Sequence, residues 1–210
     1  MKSAKDTLGA DLKVRIHRVS DIYQLYQYNK NKKDICSINK RMEIWNTARE
    51  YGCNVLIETG TYLGEMMEFQ RNHFDRLYSI EISDFYYHYS RNRLKKYDNI
   101  SIIRGNSERE LGRLIDNIPE SDKIIFWLDG HYSGGNTGKG NQDSPITNEL
   151  KTIMEKNRND IILVDDARCF VGRSGYPEMS WIKDFCAINK RRMVCYNDII
   201  HILPLINDNS

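Results

Sequence analysis

The sequence predicts an α/β fold in which a mostly parallel sheet is covered by helices on both faces. Short, continuously apolar runs such as Lys123 to Leu128 and Ile161 to Val164 recur along the chain. Segments of helical spacing separate them, and strands that are apolar on both sides belong to sheets buried on both faces. Near the end, two apolar runs flank Asn197-Asp198, and so tight a turn makes them antiparallel.

The elements follow in order. Residues 1–35 are polar and rich in tyrosine, with a short helix expected over Asp21 to Tyr28. A clearer helix spans Ile38 to Tyr51, with Met42, Trp45 and Ala48 on one side, and Gly52 ends it. Strands are expected at Val55 to Ile57, Leu77 to Ile82, Ile100 to Arg104, Lys123 to Leu128 and Ile161 to Val164. Helices between them are expected at Gly64 to His73, Tyr86 to Lys96, Glu108 to Ile115 and Pro145 to about Lys156. Ser144 is placed as the cap of the last, with Pro145 in its first helical position. A helix over Trp181 to Ile188 precedes the final strands, Arg192 to Tyr196 and Ile199 to Leu203.

A chain of 210 residues suits one domain and can bury a sizeable core. We expect a helical cap region over 1–50 and a core over 53–204. The net charge of +2 is spread along the chain without a basic stripe, so no nucleic-acid partner is expected. No apolar run is long enough to span a membrane, and Met1 to Arg18 lacks the apolar core of a secretory signal. The five cysteines contain no C-x-x-C pair, which argues against a disulfide framework or a zinc site and fits reduced thiols in the cytoplasm.

The chemistry begins at Glu58-Thr59-Gly60-Thr61-Tyr62-Leu63-Gly64, between the first strand and the next helix. Glycine there permits positive φ and close backbone approach, and the helix beyond offers free N–H groups. A dinucleotide fingerprint would need glycine at Glu58 and Leu63, so it fails at two of three positions. A phosphate loop around Gly138-Lys139 fails as well, because Ser133 and Gly140 stand where it needs Gly and Ser or Thr. Glu81 ends the second strand, 21 residues after Gly60. A carboxylate there can accept both ribose hydroxyls of an adenosyl group; the competing reading is a simple helix cap.

A second constellation is acidic. Asp129 and the pair Asp165-Asp166 follow the fourth and fifth strands, whose ends lie side by side if those strands are neighbours. Carboxylates gathered together repel and raise one another's pKa, and a hard divalent cation such as Mg²⁺ removes that cost. The metal would also act as Lewis acid on an acceptor hydroxyl. The competing reading is that these acids cap helices and turns. His131, two residues past Asp129, is the best-placed general base of the five histidines, against a purely structural loop histidine. Tyr132 and Arg168 are weaker candidates for acceptor contacts, and Trp127 reads as core. Ser133 to Asp143 holds four glycines and no aliphatic residue; a lid over the site and a plain connector are both open.

Taken together, Glu58-x-Gly60-x-x-x-Gly64, Glu81 and the acids after strands four and five resemble class I S-adenosylmethionine-dependent methyltransferases from about Val55 to Leu203. Trp127 to Gly135 and Ile162 to Asp166 look most like small bacterial metal-dependent sugar O-methyltransferases of the macrocin and mycinamicin type. The resemblance implies a Rossmann-like, doubly wound sheet of seven strands with a C-terminal antiparallel hairpin. It implies S-adenosyl-L-methionine as cofactor, with Glu58, Gly60, Thr61 and Gly64 at the turn, Glu81 on the ribose and Asp129 alongside. Gly105-Asn106-Ser107 is similar to the adenine-side turn of catechol-type enzymes, which puts Ser107 near the adenine. Asp129, Asp165 and Asp166 match the Mg²⁺ positions of the metal-dependent branch, with Asp129 and His131 as catalytic residues. The expected partner is a small-molecule or saccharide acceptor, and a homodimer stays open. The alternatives are a metal-independent O- or N-methyltransferase and a non-catalytic binding protein on the same fold.

Overall fold

The computed structural model describes residues 4–31, 37–130, 145–173 and 175–205. Its seven strands are β1 (Val55–Thr59), β2 (Arg76–Glu81), β3 (Ile100–Arg104), β4 (Ile124–Leu128), β5 (Ile161–Val164), β6 (Arg191–Tyr196) and β7 (Ile199–Pro204). They form one sheet in the order β3-β2-β1-β4-β5-β7-β6, and only β7 runs against the rest. The doubly wound sheet with its C-terminal hairpin is therefore the observed fold. Asn197 and Asp198 sit at φ 53° and 60°, the left-handed pair that a two-residue turn of the right twist requires.

Among the described residues seven α-helices accompany the sheet: α1 (Ala4–Asn31), α2 (Ser37–Tyr51), α3 (Glu65–Gln70), α4 (Asp84–Leu94), α5 (Ser107–Asp116), α6 (Ile146–Glu155) and α7 (Met179–Ile188). Strand alternation sends Val55, Ile57, Phe126, Leu128, Ile162 and Val164 to one face, where α5, α6 and α7 contribute Leu111, Ile115, Leu150, Ile153 and Ile182. Leu56, Leu77, Ile125, Trp127 and Leu163 point the other way, against Ile44 and Ala48 of α2, Met67 of α3 and Leu94 of α4. Each such fully buried side chain contributes roughly 1.5–3 kcal/mol. Trp127, 1% exposed, is core.

Several boundaries differ from expectation. The N-terminal segment is not a short helix over 21–28 but one of 28 residues, Ala4–Asn31. No strong apolar stripe advertises it. It is held by Ala10 and Val14, which pack on Leu63, Tyr86 and Tyr89, and by polar contacts to α3 and α4. Pro145 caps α6 rather than opening it, and Ser144 lies outside the described residues. α3 stops at Gln70, short of His73. Gly52, at φ 68°, closes α2 as expected. No helix among the described residues is long and apolar enough to cross a membrane. Cys53, Cys169, Cys186 and Cys195 are unpaired.

The topology decides where a ligand can sit. From β1 the chain winds outward through β2 and β3, then returns to place β4 on the other side of β1. That reversal opens a crevice beyond the carboxyl ends of β1 and β4.

Candidate active site

Parallel register brings the candidate residues into one row. Thr59 pairs with Ile80 on one side and Leu128 on the other, and Leu128 pairs with Val164. One step further along each strand, Gly60, Glu81, Asp129 and Asp165 lie side by side at the switch point. Backbone bonds continue the ladder there: Gly60 N–H donates to Ile80 O, Asp129 N–H to Thr59 O and Asp165 N–H to Leu128 O.

The turn after β1 is tight. Gly60 has φ 90°, and a Cβ on it would stand 2.6 Å from the Asp129 carbonyl oxygen. Its glycine therefore serves close approach of the β1 and β4 ends, before any ligand is considered. Gly64, at φ 73°, backs onto Leu94 and Ser90 of α4. Glu58 is buried and points to the α2–α4 face, where it accepts a 2.5 Å hydrogen bond from Ser79 Oγ. Thr61 Oγ1 lies 2.6 Å from the same Ser79 hydroxyl. Both side chains belong to a buried polar chain under the turn. Burial drives the Glu58 pKa well above the usual carboxylate range, with Asp129 and Glu81 adding to the shift against the pull of Ser79.

Glu81 closes β2, 5% exposed. Its Oε2 accepts from Tyr62 N–H at 2.8 Å and its Oε1 from Ser83 N–H at 2.7 Å. Burial raises its pKa, and the surrounding backbone N–H groups pull it back. The N–H groups of Thr61 and Ile82 add to this pull, so the carboxylate sits in a nest of backbone donors.

On the other side of the crevice, Asp129, Asp165 and Asp166 each offer a carboxylate oxygen within 4.8 Å of the others. The expected acid cluster is thus present. Asp166 holds a left-handed backbone at φ 56° and donates its N–H to Asp165 Oδ1 at 2.7 Å. Burial first, then Asp129, pushes the Asp165 pKa up to about 7. A cation is already there: Lys40 Nζ of α2 lies 2.5 Å from Asp165 Oδ1 and 3.2 Å from Asp166 Oδ1. Burial works against the Lys40 charge, but the two aspartates outweigh it and raise its pKa. Arg168 also reaches Asp166, at 2.9 Å, and pairs with Asp198 on the surface.

Leu128, Asp129, Gly130, Pro145, Ile146, Glu149, Val164, Asp165 and Tyr176 line a small cleft that opens to solvent. Glu149, on α6, is 1% exposed, and burial raises its pKa to about 7. Ser107, the first residue of α5, hydrogen-bonds its carboxyl. Thr59 lies near enough to lower that pKa, yet Thr59 Oγ1 and Glu149 Oε1 both lack a well-formed hydrogen bond. Both oxygens face Gly130, where a Cβ would stand 3.2 Å and 3.3 Å from them.

Sequence reasoning missed Lys40 and Glu149. One lysine in a polar helix carries no local signal. Glu149 did carry one, since it falls on the inward stripe Ile146, Glu149, Leu150, Ile153. The expected base His131, Tyr132 and the glycine-rich 133–143 segment lie outside the described residues.

No family model matches the chain, and no curated protein matches its sequence. Solved structures do match. A methyltransferase from Podospora anserina bound to S-adenosylhomocysteine aligns over 98% of both chains, with 16% identity and a TM-score of 0.57. An O-methyltransferase of tomaymycin synthesis from Streptomyces achromogenes, in complex with S-adenosylmethionine, aligns over 81% of this chain and 82% of its own, with 12% identity and a TM-score of 0.57. An O-methyltransferase from Bacillus cereus, in complex with S-adenosylhomocysteine, covers 88% and 90%, with 14% identity and a TM-score of 0.54. At these identities the likeness is one of fold: the Rossmann-like sheet of S-adenosylmethionine-dependent methyltransferases.

Proposed function

We propose that this protein is an S-adenosylmethionine-dependent O-methyltransferase. The observation that carries the reading is the row of strand ends, in which a glycine turn, a buried acid and an acid cluster meet at the switch point. Glu58 to Gly64 would cradle the methionine part of the cofactor, with Gly60, Thr61 and Gly64 shaping the turn. Glu81 would accept the ribose hydroxyls, and Ser107 would face the adenine side. Asp129 borders both halves of the crevice, so an acceptor hydroxyl beside it lies next to the cofactor turn.

Transfer of a methyl group from a sulfonium is an in-line displacement, so the chain's task is to align the acceptor oxygen and take its proton. His131 is the proposed base, with Asp129 orienting the acceptor. The donor set of Asp129, Asp165 and Asp166 is all carboxylate oxygen, which suits Mg²⁺. These three residues would hold the ion, and when bound it would supply a Lewis acid that eases loss of the hydroxyl proton. A sugar or sugar-bearing metabolite as acceptor rests on the resemblance of Trp127 to Gly135 and Ile162 to Asp166. A second reading, metal-independent methylation, is favoured by one observation: Lys40 already neutralises the pair Asp165-Asp166.

Calorimetry against S-adenosylmethionine and S-adenosylhomocysteine tests the core of the proposal, and absence of binding by either sinks it. Turnover on a panel of sugar hydroxyls, with EDTA and with Mg²⁺ restored, separates the two readings. Loss and recovery support metal assistance, whereas unchanged rates in EDTA support the second.

A further inference from the structure

Lys40 belongs to α2, ahead of the sheet in sequence, yet it ends among acids at the far side of the crevice. Its side chain is 19% exposed. Asp165 Oδ1 accepts from Lys40 at 2.5 Å and from the Asp166 N–H at 2.7 Å. A carboxylate oxygen has two lone pairs in its plane, and both are taken. No divalent cation can use that oxygen until the ammonium leaves, because the two would contest one lone pair and repel. α2 itself is anchored: Ile38, Ile44 and Ala48 are buried, and Gln70 Nε2 donates to Arg41 O at 2.7 Å. The only cheap movement is rotation of the lysine's four-carbon stem. Arg168 is a weaker rival, since its side chain is 63% exposed and shared with Asp198.

We propose that Lys40 is a built-in counter-cation of the acid cluster, competing with a divalent cation for Asp165 and Asp166 and thereby setting how readily the site takes metal. This rests on the reading of Asp129, Asp165 and Asp166 as a metal site. The lysine holds the acids together without metal, and a metal ion that takes Asp165 Oδ1 does so at the cost of displacing it.

The test is a Mn²⁺ titration of the metal-stripped full-length protein, followed by electron paramagnetic resonance, comparing wild type with Lys40→Met and Lys40→Arg. Lys40→Met should bind Mn²⁺ at least tenfold more tightly than wild type, and Lys40→Arg should stay close to wild type. Equal affinity in wild type and Lys40→Met overturns the competition while leaving the metal site standing. Binding in none of the three overturns both. Should Lys40→Met fail to fold, the wild type answers alone through amine acylation read by mass spectrometry. Lys40 should react slowly without metal and several-fold faster at saturating Mn²⁺; a rate indifferent to Mn²⁺ overturns the proposal.

Discussion

Gly60 shows how much one residue can carry. Its φ of 90° is strained for any other residue, and a Cβ would strike the Asp129 carbonyl at 2.6 Å. Gly60→Ala should therefore cost about 1–3 kcal/mol of stability and move the β1 and β4 ends apart. A thermal melt and S-adenosylhomocysteine calorimetry check it; an unchanged melt and affinity would contradict the geometry. Glu81 is tied differently, by two backbone N–H donors that fix its carboxylate in place. Hydrogen bonds to a charged group are worth roughly 1.5–3 kcal/mol. Glu81→Ala should then weaken S-adenosylhomocysteine binding by about ten- to a hundredfold. A drop below threefold would remove Glu81 from the cofactor site.

At the scale of elements, α1 is the feature least visible in advance and the easiest to perturb. Ala10 and Val14 dock on Leu63 of the turn and on Tyr86 and Tyr89 of α4. Polar clips reinforce the contact: His17 to Glu65 at 2.8 Å, Arg18 to Glu68 at 2.7 Å and Tyr89 to Asp11 at 2.8 Å. Arg93 of α4 closes the same network onto Glu68 and the Leu63 carbonyl. Because Leu63 sits inside the turn proposed to hold the cofactor, α1 and that turn share one packed contact. Val14→Asp buries an unpaired charge there and should release α1. Limited proteolysis should then cut within 4–31 quickly while the sheet survives, and cofactor affinity should fall several-fold. Leu12→Ser, at a position 57% exposed, should change neither. Equal protease resistance in Val14→Asp and wild type would count against docking through Val14.

Across the whole molecule, the crevice concentrates acids that burial disfavours. Glu58 and Glu149 both have raised pKa values, Glu149 to about 7, chiefly through desolvation. Unfolded, each would titrate near its ordinary value of about 4.3. Between that value and about 7 the folded protein binds more protons than the unfolded chain, so stability falls as pH rises through this window. For Glu149 alone the full loss is on the order of 3 kcal/mol. In EDTA, the wild-type melting temperature should be higher at pH 5 than at pH 8. Glu149→Gln should flatten that slope, gaining at pH 8 and little at pH 5. A variant whose slope matches wild type would show that another group titrates.

The sequence by itself determined the alternating plan, the strand cores, the hairpin at Asn197-Asp198 and the acids at the strand ends. Each of these is local: a run of apolar residues, a turn chemistry, an acid one step past a strand. It also marked Gly60, though for a ligand's approach rather than for the Asp129 backbone that meets it. Only the tertiary structure decided what faces those acids. Lys40 is separated from Asp165 by most of the sheet's sequence, and Glu149 from Thr59 by three strands, so no local pattern could pair them. The length of α1 was hidden for the same reason, since its stability comes from Leu63, Tyr86 and Tyr89 rather than from its own periodicity. Local patterns encode which residues reach the carboxyl edge of the sheet; the crossover order encodes which of them meet.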